Sequence, residues 1–159
     1  MAQDLGARFR DAFAADLAAM PSMTLRQGDA IDSYAKPPAR DETDAVTDEY
    51  LEKYCWGLNY LDPSSWRHYL PALADFAQRR LSSNSNVIDT LISSLRPPDR
   101  DPPRLSSLVP HQEVAVRELL ELLAFSAESA WQEPACQALE EWWVEDALYR
   151  AKAGGANAG

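Results

Sequence analysis

The sequence predicts an all-α fold: a single globular domain of about six helices, packed as an irregular bundle with a Pro-rich crossing loop. Apolar residues recur at helical spacing along most of the chain, and no stretch shows the sustained period-two alternation of a β-strand. Cap residues precede several of these patterns. With 159 residues, the chain is expected to form one domain over 1–150, followed by a disordered Gly/Ala-rich tail at 151–159.

The first helix is predicted between Ala2 and Met20, where apolar residues recur every four positions. Pro21 ends it. The polar stretch from Ser22 to Asp44 is predicted to be a loop with one helical turn, anchored by Ile31 and Tyr34. The buried stripe of the first helix is predicted to comprise Leu5, Phe9, Phe13 and Leu17.

Two further helices are predicted around a dense aromatic corner. One begins at Thr47, a hydroxyl N-cap before two acids, and ends with Gly57 as a left-handed C′ residue. The next begins at Asp62-Pro63, where an N-cap carboxylate precedes a proline suited to the first helical position, and ends near Leu81. Pro71 is expected to kink or break it. Its buried stripe is predicted to comprise Trp66, Tyr69, Leu70, Leu73, Phe76 and Ala77.

Three predicted helices and a crossing segment complete the chain. A short apolar helix covers Val87 to Leu95, and long helices begin at Pro110 and at Pro134. Between the Val87 and Pro110 helices, the segment from Arg96 to Arg104 contains four prolines and is the one locally basic segment. Its prolines predict an extended polyproline-like crossing. The inward residues of the Pro110 helix are predicted to be Val114, Val116, Leu119, Leu120, Leu122 and Leu123.

The charge balance restricts the class of partner. Twenty-five acids against fifteen bases give a net charge of −10, which repels nucleic acid and anionic membrane surfaces and attracts basic proteins. Two isolated cysteines, Cys55 and Cys136, predict free thiols rather than a disulfide framework. Neither a signal peptide nor a membrane span is apparent, so a cytoplasmic location is expected.

Two acidic regions are the candidate partner-binding surface. One straddles a loop and a helix start, and the other interleaves acids with two adjacent tryptophans, which point about 100° apart on a helix. An exposed aromatic rimmed by acids is typical of an interface hot spot, whereas core packing and a solvated acidic face are the alternatives. The candidates are Asp41, Glu42, Asp44, Asp48, Glu49, Glu52, Glu141, Trp142, Trp143 and Glu145.

A second hypothesis places a small-molecule pocket at the aromatic corner, since aromatic walls with one titratable group describe many ligand sites. The alternative is that these rings only pack between helices. The sequence shows no nucleophile–base pair and no metal-ligand spacing, so no cofactor or metal is expected. The candidate pocket residues are Trp56, Tyr60, Trp66, His68 and Tyr69.

The corner motif, Trp56-Gly57 with Leu61-Asp62-Pro63, Trp66 and Tyr69-Leu70-Pro71-Ala72, resembles a bacterial family of small acidic all-helical proteins of unknown function. The similarity extends roughly from Asp48 to Phe125. It implies the helical architecture and no particular activity. The first helix and the Trp142-Trp143 helix are expected to lie outside it and to carry this protein's own specificity.

Three hypotheses of function follow. The first is a non-enzymatic, inhibitor-like or immunity-type module that captures a basic protein partner. The second is an enzyme or small-molecule binder with an aromatic pocket near His68. The third is a structural or adaptor subunit that forms homo-oligomers, and the choice between monomer and homodimer stays open.

Overall fold

Eight α-helices, three 3₁₀ turns and one π-helical turn make up the protein in this computed structural model, which describes residues 4–150. No strand occurs in that range, so the prediction of an all-α fold is confirmed, with eight helices instead of about six. The tail predicted at 151–159 lies outside the described residues. The helices are α1 (Leu5–Ala12), α2 (Ala14–Ala18), α3 (Leu25–Asp32), α4 (Asp48–Tyr54), α5 (Pro63–Arg79), α6 (Asn86–Ser94), α7 (Pro110–Phe125) and α8 (Gln132–Ala138). The 3₁₀ turns span Glu42–Asp44, Cys55–Tyr60 and Leu105–Ser107, and the π-helical turn spans Leu139–Trp143.

Helix α5 lies at the centre, in contact with α1, α2, α6 and α7. It begins as predicted, with Pro63 as its first residue and the Asp62 carboxylate accepting from the N–H of Ser65. Of the kink or break expected at Pro71, the break does not occur, because α5 continues to Arg79. Pro71 is buried, and the surrounding helices hold the segment helical despite the missing N–H. All six predicted stripe residues are buried.

The first predicted helix is divided at Phe13, which separates α1 from α2. Phe9 and Phe13 are buried, and their rings stack with centroids 5.5 Å apart. The five residues of α2 include none that is buried, so the prediction that Leu17 belongs to the core is wrong. The core anchors of this segment therefore end at Phe13.

Helix α3 occupies Leu25–Asp32, within the segment from Ser22 to Asp44 that was predicted to be a loop with one helical turn. Thr24 caps it through a capping box, in which its side chain accepts from the N–H of Gln27 while the Gln27 side chain accepts from the N–H of Thr24. Leu25 is its buried anchor. The predicted anchor Tyr34 is instead 100% exposed, in the left-handed region with φ of 59°.

Gly57 does not end a helix in the left-handed region as predicted. It lies in the 3₁₀ turn after α4 and touches the backbone of α3. A Cβ at Gly57 would lie 2.1 Å from the carbonyl oxygen of Leu25, and a Cβ at Gly28 would lie 2.4 Å from that of Gly57. Close backbone approach, rather than positive φ, is therefore the reason for both glycines.

The C-terminal helices also differ from the prediction in detail. In α7, Val114 is exposed although it was predicted to face inward. Helix α8 begins at Gln132, two residues before Pro134. Trp142 and Trp143 in the π-helical turn are both buried, so neither is the partly exposed tryptophan that their adjacency suggested.

The proline-rich segment is a folded loop, and the predicted extended crossing is wrong. The carboxylate of Asp99 accepts hydrogen bonds from the backbone N–H groups of Arg104, Leu105 and Ser106, each 2.8 Å long, which bends the chain around it. The peptide bonds Pro97-Pro98 and Asp101-Pro102 are cis.

Replacing Gly28 with alanine is predicted to reduce the free energy of unfolding by about 1–3 kcal/mol, because the added methyl group meets rigid backbone. Urea denaturation measures this. The matched control is Gly6→Ala, whose Cβ would meet only the side-chain ends of Arg10 and Asp4 at 3.3 Å. The control is expected to keep the stability of wild type or raise it by up to about 1 kcal/mol, because alanine favours a helix over glycine. Equal losses in both variants would contradict the close-contact interpretation.

Candidate functional site

Asp44, one of the predicted partner-binding acids, is part of an internal polar network. Arg26 donates to it through Nε and Nη2, at 3.1 and 2.8 Å, and the Tyr50 hydroxyl donates at 2.8 Å. Burial alone would raise the pKa of Asp44, but these hydrogen bonds outweigh it and lower the pKa to about 2. Asp41 also contacts Arg26, at 3.3 Å. Both acids therefore hold the loop onto α3.

Two more predicted partner-binding acids are paired within the fold. Asp48 accepts from Arg79 and Arg80 at the end of α5, and Glu141 accepts twice from Arg96 at 2.7 Å. The hydrogen bonds from Arg79 lower the pKa of Asp48, and those from Arg96 lower that of Glu141. The negative charges of Asp48 and Glu141 are therefore neutralised by ion pairs within the protein. The predicted acids that stay exposed without an ion pair in the described residues are Glu42, Glu49, Glu52 and Glu145.

The five predicted pocket residues do not surround one cavity. Trp66 and Tyr69 are in the core, where the Trp66 indole donates to Ser94 and the Tyr69 hydroxyl accepts from Leu25. Trp56 and Tyr60 are exposed on the surface that carries α3. His68, the fifth residue, donates its Nδ1 proton to the backbone carbonyl oxygen of Asp16 in α2, 2.9 Å away. It lines a separate groove of about 550 Å³ together with Leu17, Met20, Val46 and Tyr69.

An aromatic–acidic face forms where α3 packs on the 3₁₀ turn Cys55–Tyr60. We define it by Asp29, Asp32, Tyr34, Trp56 and Tyr60. Trp56 is 40% exposed and Tyr60 42% exposed, and the Tyr60 hydroxyl donates to Asp32 at 3.0 Å. The exposed Glu52 and Glu49 lie on neighbouring α4, four and seven positions before Trp56. Large aromatic surface is thus presented to solvent beside carboxylates.

The carboxylates of this face keep an unneutralised negative potential. Partial burial, followed by repulsion from Asp32, raises the pKa of Asp29 above its usual range, while Lys53 only partly offsets the effect. The hydrogen bond to Asp32, burial, and the nearby charges of Asp32 and Tyr34 raise the pKa of Tyr60. Neither Asp29 nor Asp32 has an ion pair within residues 4–150. A cation brought to this face would relieve that repulsion.

Sequence reasoning missed Asp29 and Asp32 of α3, and Tyr34 just after that helix, as binding candidates. The signal that would have found them is the Thr24-x-x-Gln27 spacing, which predicts a capped helix beginning at Leu25. A helix there places Asp29 and Asp32, three residues apart, on one face.

The described residues restrict other kinds of site. No group of three His, Cys, Asp or Glu side chains in them is placed to hold a metal ion. None of their helices has the length and apolar character needed to cross a bilayer.

A family model described as a family of unknown function, DUF6714, matches residues 1–147 of the chain. No curated protein and no solved structure matches. The match includes the first helices and Trp142-Trp143, so the expectation that these parts lie outside the family is wrong. The first helices and Trp142-Trp143 therefore belong to the region that the family model describes.

Asp44→Asn is predicted to reduce the free energy of unfolding at pH 7 by about 1–3 kcal/mol, since it removes charge-assisted hydrogen bonds. Because the folded-state pKa of Asp44 is depressed, its stabilisation is present above the unfolded value of about 3.9 and is lost as the pH falls towards 2. The difference between wild type and variant should therefore shrink from pH 4 to pH 2. Urea denaturation at each pH measures it.

The control for this variant is Glu42→Gln, which changes an exposed acid in the same 3₁₀ turn. It is expected to leave stability within about 0.5 kcal/mol of wild type. A difference for Asp44→Asn that does not depend on pH would contradict the assigned role of the carboxylate.

Proposed function

The chain belongs to the family of unknown function DUF6714, and we propose that it is a non-enzymatic, cytoplasmic binding module that captures a basic protein partner. The observation that carries the proposal is the aromatic–acidic face, where exposed Tyr60 donates to Asp32 and Trp56 is exposed on the same 3₁₀ turn. Tryptophan and tyrosine are the side chains enriched in binding hot spots.

The mechanism has two stages. A net charge of −10 steers a basic partner towards the protein, and this attraction weakens as salt screens it. A lysine or arginine of the partner then pairs with Asp29 and Asp32, while its alkyl stem covers Trp56 and the cation faces the ring. Because α3 and the 3₁₀ turn are in backbone contact, these groups are pre-positioned, which lowers the entropic cost of binding.

The negative charge of the aromatic–acidic face disfavours self-association through it. In a two-fold dimer through this surface, the carboxylates of Asp29 and Asp32 would approach their own copies, and juxtaposed like charges are unfavourable. A basic partner reverses the sign of that interaction. The inhibitor or immunity-type role is a specific form of this proposal, in which capture blocks the activity of the partner.

The cytoplasmic location is supported by the cysteines. Cys55 and Cys136 are both free, and burial raises the pKa of the Cys55 thiol, which keeps it protonated and unreactive. Unpaired thiols are usual in a reducing compartment.

The experiment is affinity capture from a lysate of the encoding organism, with the wild-type protein and three variants as baits and quantitative mass spectrometry as the readout. Trp56→Ala and the double variant Asp29→Asn/Asp32→Asn are expected to retain at least about tenfold less of one basic protein than wild type. Raising the salt from 50 to 300 mM should reduce wild-type capture.

The control bait is the double variant Glu133→Gln/Glu140→Gln, which removes the same two charges from exposed positions elsewhere. It should capture the partner as wild type does. Equal capture by all baits, or a partner that is not basic, would overturn the proposal. Light scattering of the pure protein tests the homodimer hypothesis, because a homodimer has twice the chain mass of 17.7 kDa.

A further inference from the structure

The turn at Pro97, Pro98 and Asp99 separates two neighbouring clefts. The first, of about 530 Å³, is lined by Arg96, Arg100 and Arg104 together with polar residues of α6. The second, of about 390 Å³, is lined by the same turn, Glu141, Trp142 and Tyr149. Three arginines at one cleft are unexpected in a chain with fifteen basic residues against twenty-five acids. The two clefts thus place cations beside an aromatic wall.

Arg104 is a buried cation with an unused donor. It is 2% exposed, and its Nε and Nη2 donate only to the carbonyl oxygens of Leu58 and Leu61. Its Nη1 has no hydrogen-bond partner, and no carboxylate forms an ion pair with it in the described residues. Burial, followed by repulsion from Arg100, lowers the pKa of Arg104 to about 10. The charges of Asp62 and Asp99 offset this lowering only in part, so an anion that contacted the guanidinium would be stabilised.

Trp142 supplies a second unused donor, on the other side of the same turn. It is 8% exposed, and its Nε1 has no hydrogen-bond partner within residues 4–150. The other three buried indoles all donate: Trp66 to Ser94 Oγ, Trp131 to the Ser83 carbonyl and Trp143 to the Leu95 carbonyl. Trp142 also lies in a π-helical turn, a feature that is frequent at functional sites. Among the described residues, no acceptor satisfies this N–H, and a bound ligand would supply one.

We propose that the paired clefts bind a small organic anion, whose oxyanion group meets the arginine cleft and whose apolar or aromatic body lies against Trp142 and Tyr149. Arg104 lines the first cleft and Trp142 the second, and each carries a buried donor that lacks an acceptor in the described residues, of the kind that oxyanion oxygens provide. The arginine cleft borders the aromatic–acidic face, since Arg100 donates to the carbonyl oxygen of Asn59 next to Tyr60, but the inference does not rest on the proposed function.

The remaining arginines of the site keep donors for such a ligand. Arg96 uses Nε and Nη2 on Glu141, which leaves its Nη1 group. Arg100 donates Nη1 to the carbonyl oxygen of Asn59, which leaves Nε and Nη2. Each can therefore bind an oxyanion while keeping its present contacts.

Most of the carboxylates near the site are engaged by groups of the protein. Both oxygens of Asp99 accept backbone N–H groups, and Glu141 is neutralised by Arg96. Asp101 is the exposed exception on the arginine cleft. Its charge opposes an incoming anion, so removing that charge should tighten binding.

The test is a titration of the full-length ¹⁵N-labelled protein with phenyl phosphate, inorganic phosphate and sodium benzoate, followed by the five tryptophan indole N–H signals. Trp142→Phe assigns the Trp142 signal. Phenyl phosphate is expected to shift that signal saturably and to bind more tightly than inorganic phosphate, because the ring adds apolar contact. The stronger of phenyl phosphate and benzoate identifies a phosphate or a carboxylate as the preferred oxyanion.

Calorimetry on variants gives the quantitative outcome. Arg100→Gln and Trp142→Phe, which keeps the ring, should each weaken phenyl phosphate binding about tenfold, whereas Asp101→Asn should tighten it several-fold. Arg117→Gln, an exposed arginine of α7, is the matched charge control and should bind as wild type. No saturable shift of the Trp142 signal by any probe, or equal affinities for Arg100→Gln, Trp142→Phe and Arg117→Gln, would overturn the proposal.

Discussion

The backbone contact between Gly28 and Gly57 is the constraint on which the proposed recognition face depends. Neither position accepts a Cβ atom, because the carbonyl oxygens of Gly57 and Leu25 already occupy that space. Helix α3 therefore lies directly on the 3₁₀ turn, at a distance that side chains would not permit. This contact brings acids from one segment beside aromatics from another, although about thirty residues of chain separate them.

Local signals made much of the fold predictable. The Asp62-Pro63 start of α5 and its buried stripe depend on capping chemistry and helical periodicity, which neighbouring residues determine. The predictions failed where tertiary contacts override local rules. Helix α5 passes through Pro71 because surrounding helices support it, and Gly57 serves helix packing rather than chain reversal. Neither packing partner is apparent from the adjacent sequence.

The candidate site was less predictable, because its electrostatics depend on pairs that are distant along the chain. Asp44 and Arg26 are 18 residues apart, and Glu141 and Arg96 are 45 apart. Counting acids in the sequence therefore overestimates the charge available to a partner. The isolated charges of Asp29 and Asp32 are recognisable only once the ion pairs elsewhere are known, and the same holds for the buried guanidinium of Arg104.

The distribution of the five tryptophans also has a spectroscopic consequence. Four of the indoles are shielded from water, and Trp56 alone is substantially exposed. Emission at long wavelengths, and the fraction that iodide or acrylamide quenches, therefore arise mainly from a ring on the aromatic–acidic face. The protein carries an intrinsic fluorophore at that surface, so its occupancy is observable in unlabelled material.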